Sequence, residues 1–299
     1  MYWIIGFFVI LIILSLMLFV GLASYVALPR VCTMEVGESY EKEHGFWREY
    51  DRLPKEEFTV TGAKGYELAA VYVPAPGESN RYVVISHGYT SCRYGSLKYM
   101  HMFRDYGFNC IIYDDRRHGV NKRVPCTMGV LESQDLCAVI DAVYARFGPD
   151  IKLGLHGESM GSGMQIMALQ YKPKVDFIVN DCGYAVLLDV EKKALREWFH
   201  LPGWLVYGAD VAAKILYGYA FTDVNPIECL EDNTIPICFI HGAEDDFITP
   251  DHSRRMFEKT KGYKEIHLFP GAAHAQSMES NENNYRKIVK EFLEKIGEI

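Results

Sequence analysis

Hydrophobic and polar positions are distributed very unevenly along this chain of 299 residues. From residue 1 to residue 28 all positions are apolar except Gly6, Ser15, Gly21 and Ser24, and no residue before position 30 is charged. A helix needs about 20 apolar residues to cross the hydrocarbon core of a bilayer. The pattern therefore predicts one transmembrane helix over this stretch.

Two other interpretations of the segment remain open. A cleaved signal peptide would have a basic start, a shorter apolar run and small residues at a cleavage site. The first three residues include no Lys or Arg, and Ala23 and Ser24 form only a poor cleavage site. A buried globular helix would show a polar face, which this segment lacks. Tyr2, Trp3 and Tyr25 lie near its ends, where aromatic rings prefer the membrane interface, so a membrane anchor is favoured.

The side of the membrane that carries the rest of the chain stays open. Arg30, Lys42 and Arg48 follow the apolar segment and no basic residue precedes it, which weakly favours a cytoplasmic body. The eight cysteines include no CxxC pair and no dense spacing, so free thiols are expected rather than a disulfide framework. Both observations lean the same way without deciding the side.

After a polar stretch interpreted as a juxtamembrane linker, residues 29–54, short β-rich runs alternate with helix-length segments. The predicted strands are 58–61, 68–73, 82–86, 110–113, 151–156, 177–180, 237–240 and 266–269. The predicted helices are 96–106, 131–147, 160–171, 251–260 and 283–295. Several strand runs are continuously apolar, as expected for strands covered on both faces. The alternation predicts an α/β domain over residues 55–299, with a mostly parallel eight-stranded sheet and helices on both faces.

Residues 184–222 interrupt this alternation. They are rich in aromatic side chains, among them Trp198, Trp204 and Phe221, and contain no convincing strand. One interpretation is an ordinary pair of amphipathic helices. The other is a small cap over a pocket, in which the aromatic side chains would meet an apolar substrate.

Composition narrows the class of protein. Apolar residues make up 49% of the chain and charged residues 23%, which excludes a disordered or fibrous chain. The net charge is −8 and no basic run occurs, so a nucleic-acid partner is not expected. The sequence has no HExxH motif, no paired CxxC and no Walker loop, so no metal or other cofactor is expected.

The strongest chemical motif is Gly157-Glu158-Ser159-Met160-Gly161. It stands between a predicted strand and a predicted helix, the context that a G-x-S-x-G nucleophile elbow requires. Such a turn lifts the serine hydroxyl clear of the sheet and places it at a helix N-terminus, which favours developing negative charge. Ser159 is therefore predicted to be a nucleophile; the alternative is a glycine-rich turn that serves packing alone.

A serine hydroxyl needs a base near neutral pH, and His274 is the candidate. It stands in a loop of small residues, Gly271-Ala272-Ala273-His274-Ala275, between the last predicted strand and the last predicted helix. The small neighbours leave the imidazole room to reach the serine. The other histidines lie in the linker, in the insert, within predicted elements or beside glycines at strand ends, and are weaker candidates.

The base in turn needs an acid that holds its tautomer and stabilises the imidazolium. Glu244, Asp245 and Asp246 follow the predicted strand 237–240. The resulting chain order of serine, acid and histidine matches that of the α/β-hydrolase elbow. Asp245 is the first candidate and Asp246 the second.

An oxyanion hole requires two backbone N–H donors aimed at the tetrahedral oxygen. One is expected from Met160, directly after the nucleophile. The other is expected from the loop that follows the third strand, where Tyr89 is the candidate donor. The Tyr89 ring is also expected to line the acyl pocket.

These segments resemble α/β-hydrolases of the serine-aminopeptidase/monoglyceride-lipase-like and Bem46-like group, over about residues 55–299. The resemblance rests on the elbow, on the Asp-x-Arg-x-His-Gly pattern at 114–119 and on the loops that carry the acid and the histidine. In that group a proline usually stands four residues after the acid. Here Pro250 lies four residues after Asp246 but five after Asp245, so both acids stay candidates.

The resemblance implies a serine hydrolase that transfers an acyl group from an ester, thioester or amide to water through an acyl-enzyme. The aromatic insert and the membrane segment favour a small acyl ester or lipid-like substrate over a peptide. A non-catalytic, membrane-tethered binding domain is one alternative. An acyltransferase or a peptidase of the same fold is another.

Overall fold

The computed structural model describes residues 2–299, and this part of the chain contains eight β-strands and ten α-helices. The strands are β1 (Glu56–Thr61), β2 (Glu67–Val73), β3 (Arg81–Ser86), β4 (Asn109–Tyr113), β5 (Lys152–Glu158), β6 (Phe177–Asp181), β7 (Ile237–Gly242) and β8 (Lys264–Phe269). The helices are α1 (Tyr2–Ala27), α2 (Met34–Glu43), α3 (Leu97–Asp105), α4 (Glu132–Phe147), α5 (Met160–Ala168), α6 (Leu187–Glu197), α7 (Val206–Tyr217), α8 (Asp251–Lys259), α9 (Ser277–Ser280) and α10 (Glu282–Lys295). Every predicted strand is present within two residues of its predicted bounds, and the predicted fold class is confirmed.

All eight strands form one sheet in the order β1-β2-β4-β3-β5-β6-β7-β8. β2 pairs antiparallel with β1 and with β4, and all other neighbours are parallel. From β3 the chain passes to β4 on one side and then crosses to β5 on the other, so the strand order reverses at β3. The carboxyl ends of β3 and β5 therefore meet at the switch point where open α/β sheets bind their ligands.

Helices cover both faces of the sheet, because successive side chains of a strand point to opposite faces. Val83 and Ile85 of β3 belong to a buried cluster with α3 and α10, whereas Val84 belongs to one with α4, α5 and α8. Strands of this kind are continuously apolar, and β4 is buried at every position. This arrangement explains why the strand runs were recognisable in the sequence.

The stretch predicted as a linker packs against the domain. α2 begins after Thr33, whose Oγ1 accepts a hydrogen bond of 3.3 Å from the Val36 N–H. Trp47 and Tyr50 are buried in the cluster on the α3 side of the sheet, and both rings contact Tyr94 edge to face. A few large aromatic side chains thus hold the predicted juxtamembrane linker against the domain.

The insert over residues 184–222 contains the helix pair α6 and α7, and α6 borders a cavity beside Ser159. α1 is long and apolar enough to cross a membrane. Its residues 2–14 are exposed, which contradicts the buried-helix interpretation for that stretch. The last turns of α1 pack on α7, where Ser24 Oγ lies 2.7 Å from Tyr217 Oη.

Candidate active site

Ser159 lies at the tight turn between β5 and α5, with φ = 54° and ψ = −113°. A positive φ is uncommon for a residue other than glycine and stores backbone strain. A Cβ on Gly157 would lie 2.5 Å from the carbonyl carbon of Gly161, and a Cβ on Gly161 would lie 2.4 Å from the carbonyl oxygen of Ser86. Only glycine at both positions lets α5 approach β5 and β3 this closely, so the N-terminus of α5 begins directly after the serine.

His274 lies in the loop after β8, and its imidazole bridges the serine and an acid. Its Nε2 is 2.9 Å from Ser159 Oγ, and its Nδ1 is 2.7 Å from Asp245 Oδ2. Because an ionised carboxylate can only accept, Nδ1–H donates to Asp245 and Nε2 is free to accept the serine hydroxyl proton. The Phe247 ring packs edge to face on the imidazole, with 5.0 Å between ring centroids, and restricts its plane.

Asp245 is held by hydrogen bonds on both carboxylate oxygens. Oδ1 accepts the N–H groups of Phe247 (3.0 Å) and Ile248 (2.9 Å), while Oδ2 faces His274 and His241. Burial alone would raise the pKa of Asp245, but hydrogen bonds from His241 and His274 outweigh it and lower that pKa to about 2. Asp245 is therefore ionised at neutral pH, as an acid that orients an imidazole must be.

The structure separates the two candidate acids. Asp245 is buried and contacts His274, whereas Asp246 is exposed beside it. The position of Pro250 pointed to Asp246, but the backbone turn after β7 directs the side chain of Asp245 towards the imidazole.

His241 is a neighbour of the acid that the sequence did not single out. Its Nε2 lies 2.7 Å from the Ile248 carbonyl oxygen and 3.2 Å from Asp245 Oδ2, and its Nδ1 lies 2.7 Å from Ser253 Oγ. Since the carbonyl oxygen can only accept, Nε2 carries the proton and Nδ1 accepts from the Ser253 hydroxyl. His241 thus fixes the carboxylate from the side opposite His274; its place at the end of a buried strand was the only available signal.

The candidate oxyanion donors lie on either side of the serine. Met160 begins α5, so its N–H is among the first helical N–H groups that have no partner within the helix. Tyr89 follows β3, and its hydroxyl donates to the carbonyl oxygen of Val26 (3.0 Å), on α1. Both residues border the cavity that contains Ser159. The structure therefore brings all five sequence-predicted site residues together.

His118, from the 114–119 pattern, supports the loop that carries Tyr89. The Thr90 N–H donates to His118 Nε2 at 3.1 Å. Burial, helped by the neighbouring His87, lowers the pKa of His118 to about 3, so the ring stays neutral and can accept this hydrogen bond. Thr90 itself has a positive φ of 67°, so the contact holds a strained turn beside the candidate oxyanion donor.

An apolar cavity of about 320 Å³ opens beside Ser159. Its walls come from helix α6 of the insert, from the loops after β3 and β7, and from the last turns of α1. Val190 and Phe199 of the insert line it together with Tyr25 and Val26 of α1, and the Tyr25 and Phe199 rings meet edge to face at 5.4 Å. The C-terminal end of the predicted anchor is therefore part of the cavity wall.

A serine elbow after β5, an acid after β7 and a histidine after β8, on a sheet of this strand order, are the arrangement of the α/β-hydrolase fold. The protein is a member of the α/β-hydrolase superfamily, and that prediction is confirmed. Residues 102–298 match the model of the prolyl oligopeptidase family, so the chain belongs to this family.

The chain is also similar to individual proteins. The uncharacterised protein YqkD of Bacillus subtilis is 33% identical over 261 residues, covering 85% of this chain and 84% of YqkD. The α/β-hydrolase domain-containing protein 17C of Mus musculus is 25% identical over 251 residues, covering 82% of this chain and 69% of that protein. The structure of an esterase of Pyrococcus furiosus superposes with a TM-score of 0.69 at 21% identity, covering 90% of this chain and 97% of the esterase, a likeness of fold. The family and these relatives support a hydrolase.

Proposed function

We propose that this protein is a membrane-anchored serine hydrolase that cleaves esters of apolar acyl groups. The observation that carries the proposal is the unbroken path of contacts from Ser159 Oγ through His274 to Asp245, at the edge of an apolar cavity. A hydroxyl, an imidazole and a carboxylate in this order form a nucleophile, a base and an orienting acid.

The geometry suits a two-step acyl transfer. His274 Nε2 takes the Ser159 proton as Oγ attacks the acyl carbon, and Asp245 stabilises the imidazolium that forms. The N–H groups of Tyr89 and Met160 donate to the oxyanion of the tetrahedral intermediate. His274 then returns the proton to the departing alcohol, and water attacks the acyl-enzyme with the same imidazole as base.

The apolar cavity supports an acyl group of some length as the part of the substrate next to Ser159. Its volume of about 320 Å³ and its aliphatic and aromatic lining favour a hydrocarbon chain. One carboxyl side chain, Glu191, also borders it, and burial raises the pKa of Glu191 to about 7. At pH 6 this side chain is mostly neutral, so it adds little charge to the wall beside the acyl chain.

The dimensions of α1 support a membrane anchor that holds the insert near the membrane surface. The exposed residues 2–14 extend only about 20 Å, whereas a hydrocarbon core of about 30 Å takes about 20 residues. A crossing that starts at Tyr2 therefore reaches Phe19, which packs on Gly208 of α7. The exposed apolar side chains of α7, Tyr207, Val211 and Ile215, follow each other at intervals of four residues and would then lie against the bilayer.

Membrane integration is tested by washing membranes of the producing cells in alkaline carbonate and sequencing the N-terminus of the retained protein. An anchor leaves the intact protein in the membrane fraction, starting at or next to Met1. A protein that is released and starts near residue 24 would establish a cleaved signal peptide instead. The hydrolase proposal does not depend on this outcome.

Hydrolysis is tested with p-nitrophenyl esters from acetyl to dodecanoyl, beside aminoacyl-naphthylamides. We expect turnover of esters with the highest kcat/KM at medium chain length, and its loss in Ser159→Ala but not in Ser39→Ala, an exposed serine of α2. Turnover of the amides alone would show that the protein is a peptidase and not an esterase. Transfer of the acyl group to added alcohols in preference to water would indicate an acyltransferase, and no turnover of either class would favour a binding domain.

A further inference from the structure

A second cavity, of about 330 Å³, lies on the other side of the candidate catalytic histidine. It shares Tyr89, Thr90 and His274 with the apolar cavity, but Ser159 borders only the apolar one. Its far wall is α2, the helix between the anchor and the hydrolase domain. An ester that reacts at Ser159 has its acyl part and its leaving group on different sides of the scissile bond. The group that His274 protonates is the leaving group, so the second cavity is positioned to receive it.

The second cavity is acidic. Three of its ionisable side chains carry carboxyl groups, Glu41, Glu158 and Glu279, and one is the ammonium of Lys98. Lys98 Nζ lies 2.8 Å from Glu158 Oε2, 3.2 Å from Glu279 Oε1 and 3.4 Å from the Ala275 carbonyl oxygen. An ammonium has three donors, and these acceptors occupy all three. Lys98 is thus committed to the protein and neutralises only one of the carboxylates.

Glu41 remains without a cation of its own. The side chain is 4% exposed, and its Oε2 has no hydrogen-bond partner among residues 2–299. Burial raises the pKa of Glu41 to about 8; Lys98 opposes the shift, and Glu158 and Glu279 add to it. A buried carboxyl oxygen without a donor is costly, and a ligand that brings a charged N–H group would satisfy it.

We propose that this cavity is a leaving-group subsite that binds a primary ammonium ion carried by the alcohol, thiol or amine part of the substrate. The inference rests on the proposed hydrolase function and adds to it the chemistry of the second half of the substrate. An ammonium supplies a positive charge that balances the carboxyl groups in excess of Lys98. It also supplies the N–H donors that Glu41 lacks. A quaternary ammonium supplies the charge without the donors, and an anion would meet like charge.

The test uses four octanoyl esters that share their acyl group. Their leaving groups share a chain of five methylenes and differ only in the group at its end. The alcohols are 5-aminopentan-1-ol, hexan-1-ol, 5-(trimethylammonio)pentan-1-ol and 6-hydroxyhexanoate. We expect kcat/KM for the aminopentyl ester to exceed that for the hexyl ester by about tenfold or more, the size of a charge-assisted hydrogen bond. The trimethylammonio ester should fall between them, and the hydroxyhexanoate ester should be the poorest substrate.

The variant Glu41→Gln removes the carboxyl group that would ionise on binding an ammonium and keeps the shape, and it should lower the aminopentyl-to-hexyl ratio about tenfold. Glu43→Gln replaces a carboxyl group at an exposed position of α2 and should leave the ratio of the wild-type protein. Equal hydrolysis of the aminopentyl and hexyl esters by the wild-type protein, or a ratio that Glu41→Gln does not change, would refute the subsite while the hydrolase function stands. If the protein hydrolyses none of the four esters and does not hydrolyse p-nitrophenyl octanoate either, both the subsite and the hydrolase function are overturned.

Discussion

The two cavities that meet at His274 differ in the side chains that line them, in their charge and in the helices that form their walls. The one beside Ser159 is lined by aliphatic and aromatic side chains of α6 and the end of α1. The one on the α2 side holds four ionisable side chains in a similar volume. One imidazole therefore borders an environment suited to hydrocarbon and another suited to a cation. The segment before residue 55 therefore contributes to both halves of the candidate site, since α1 lines one cavity and α2 the other.

Loss of the proposed triad acid should slow the hydrolysis of every ester, whatever its acyl group or leaving group, and it is the largest effect expected of a single orienting residue. Asp245→Asn leaves the shape but changes the donor and acceptor pattern that His274 meets, and kcat should fall by about 10³- to 10⁴-fold on every ester. Asp246→Asn, one residue further and exposed, should stay within about twofold of the wild-type protein. The reverse ranking in steady-state kinetics would show that Asp246 is the acid.

A change in the α1 wall should affect the acyl side alone. Val26 is 6% exposed and borders the apolar cavity, so Val26→Phe adds volume where an acyl chain is expected. The value of kcat/KM for p-nitrophenyl octanoate should fall by about 10- to 100-fold, and that for the acetate by less than about threefold.

The matched control for that change is Val20→Phe, at an exposed position of the same helix, which should alter neither substrate. Thermal unfolding separates a narrowed cavity from a destabilised protein. Equal losses on acetate and octanoate with an unchanged Tm would mean that the anchor does not shape the acyl pocket.

The smallest effect concerns the one carboxyl group of the apolar cavity. Burial raises the pKa of Glu191 to about 7, so its side chain is mostly neutral at pH 6 and mostly charged at pH 8. A charge beside the acyl chain should weaken its binding, so KM for the octanoate should rise about threefold between these pH values. Glu191→Gln should keep KM constant over that range, whereas Glu197→Gln, exposed at the end of α6, should behave like the wild-type protein. A pH-dependent KM in Glu191→Gln would assign the effect to another group.

The strands and the places of Ser159 and His274 in the candidate site could be predicted from the sequence because their signals are local. A strand buried on both faces is a continuous apolar run, as in β4, and the elbow needs glycines at fixed distances from Ser159. His274 was recognisable from its small neighbours and its place in the chain order. The acid was not settled in this way, because the choice between Asp245 and Asp246 depends on the direction of one turn.

The contributions of α1 and α2 depend on contacts that no local pattern contains. The contact between Val26 and Tyr89 and the proximity of Glu41 to Lys98 each join residues that lie more than fifty positions apart in the sequence. A 26-residue apolar helix indicates a membrane-spanning segment. The sequence of its last turns is equally apolar, so it does not reveal that these turns pack on the insert. The polar stretch after it contains Trp47 and Tyr50, and the burial of these two rings positions α2 against the domain.

The central claim is that Ser159 is an activated nucleophile, and a fluorophosphonate probe tests it most directly. The full-length protein in detergent is treated with the probe, digested and analysed by mass spectrometry, beside Ser159→Ala and Ser39→Ala. We expect one covalent adduct on the peptide that contains Ser159, present in the wild-type protein and in Ser39→Ala and absent from Ser159→Ala. No adduct on the wild-type protein, or equal labelling of Ser159→Ala, would contradict it.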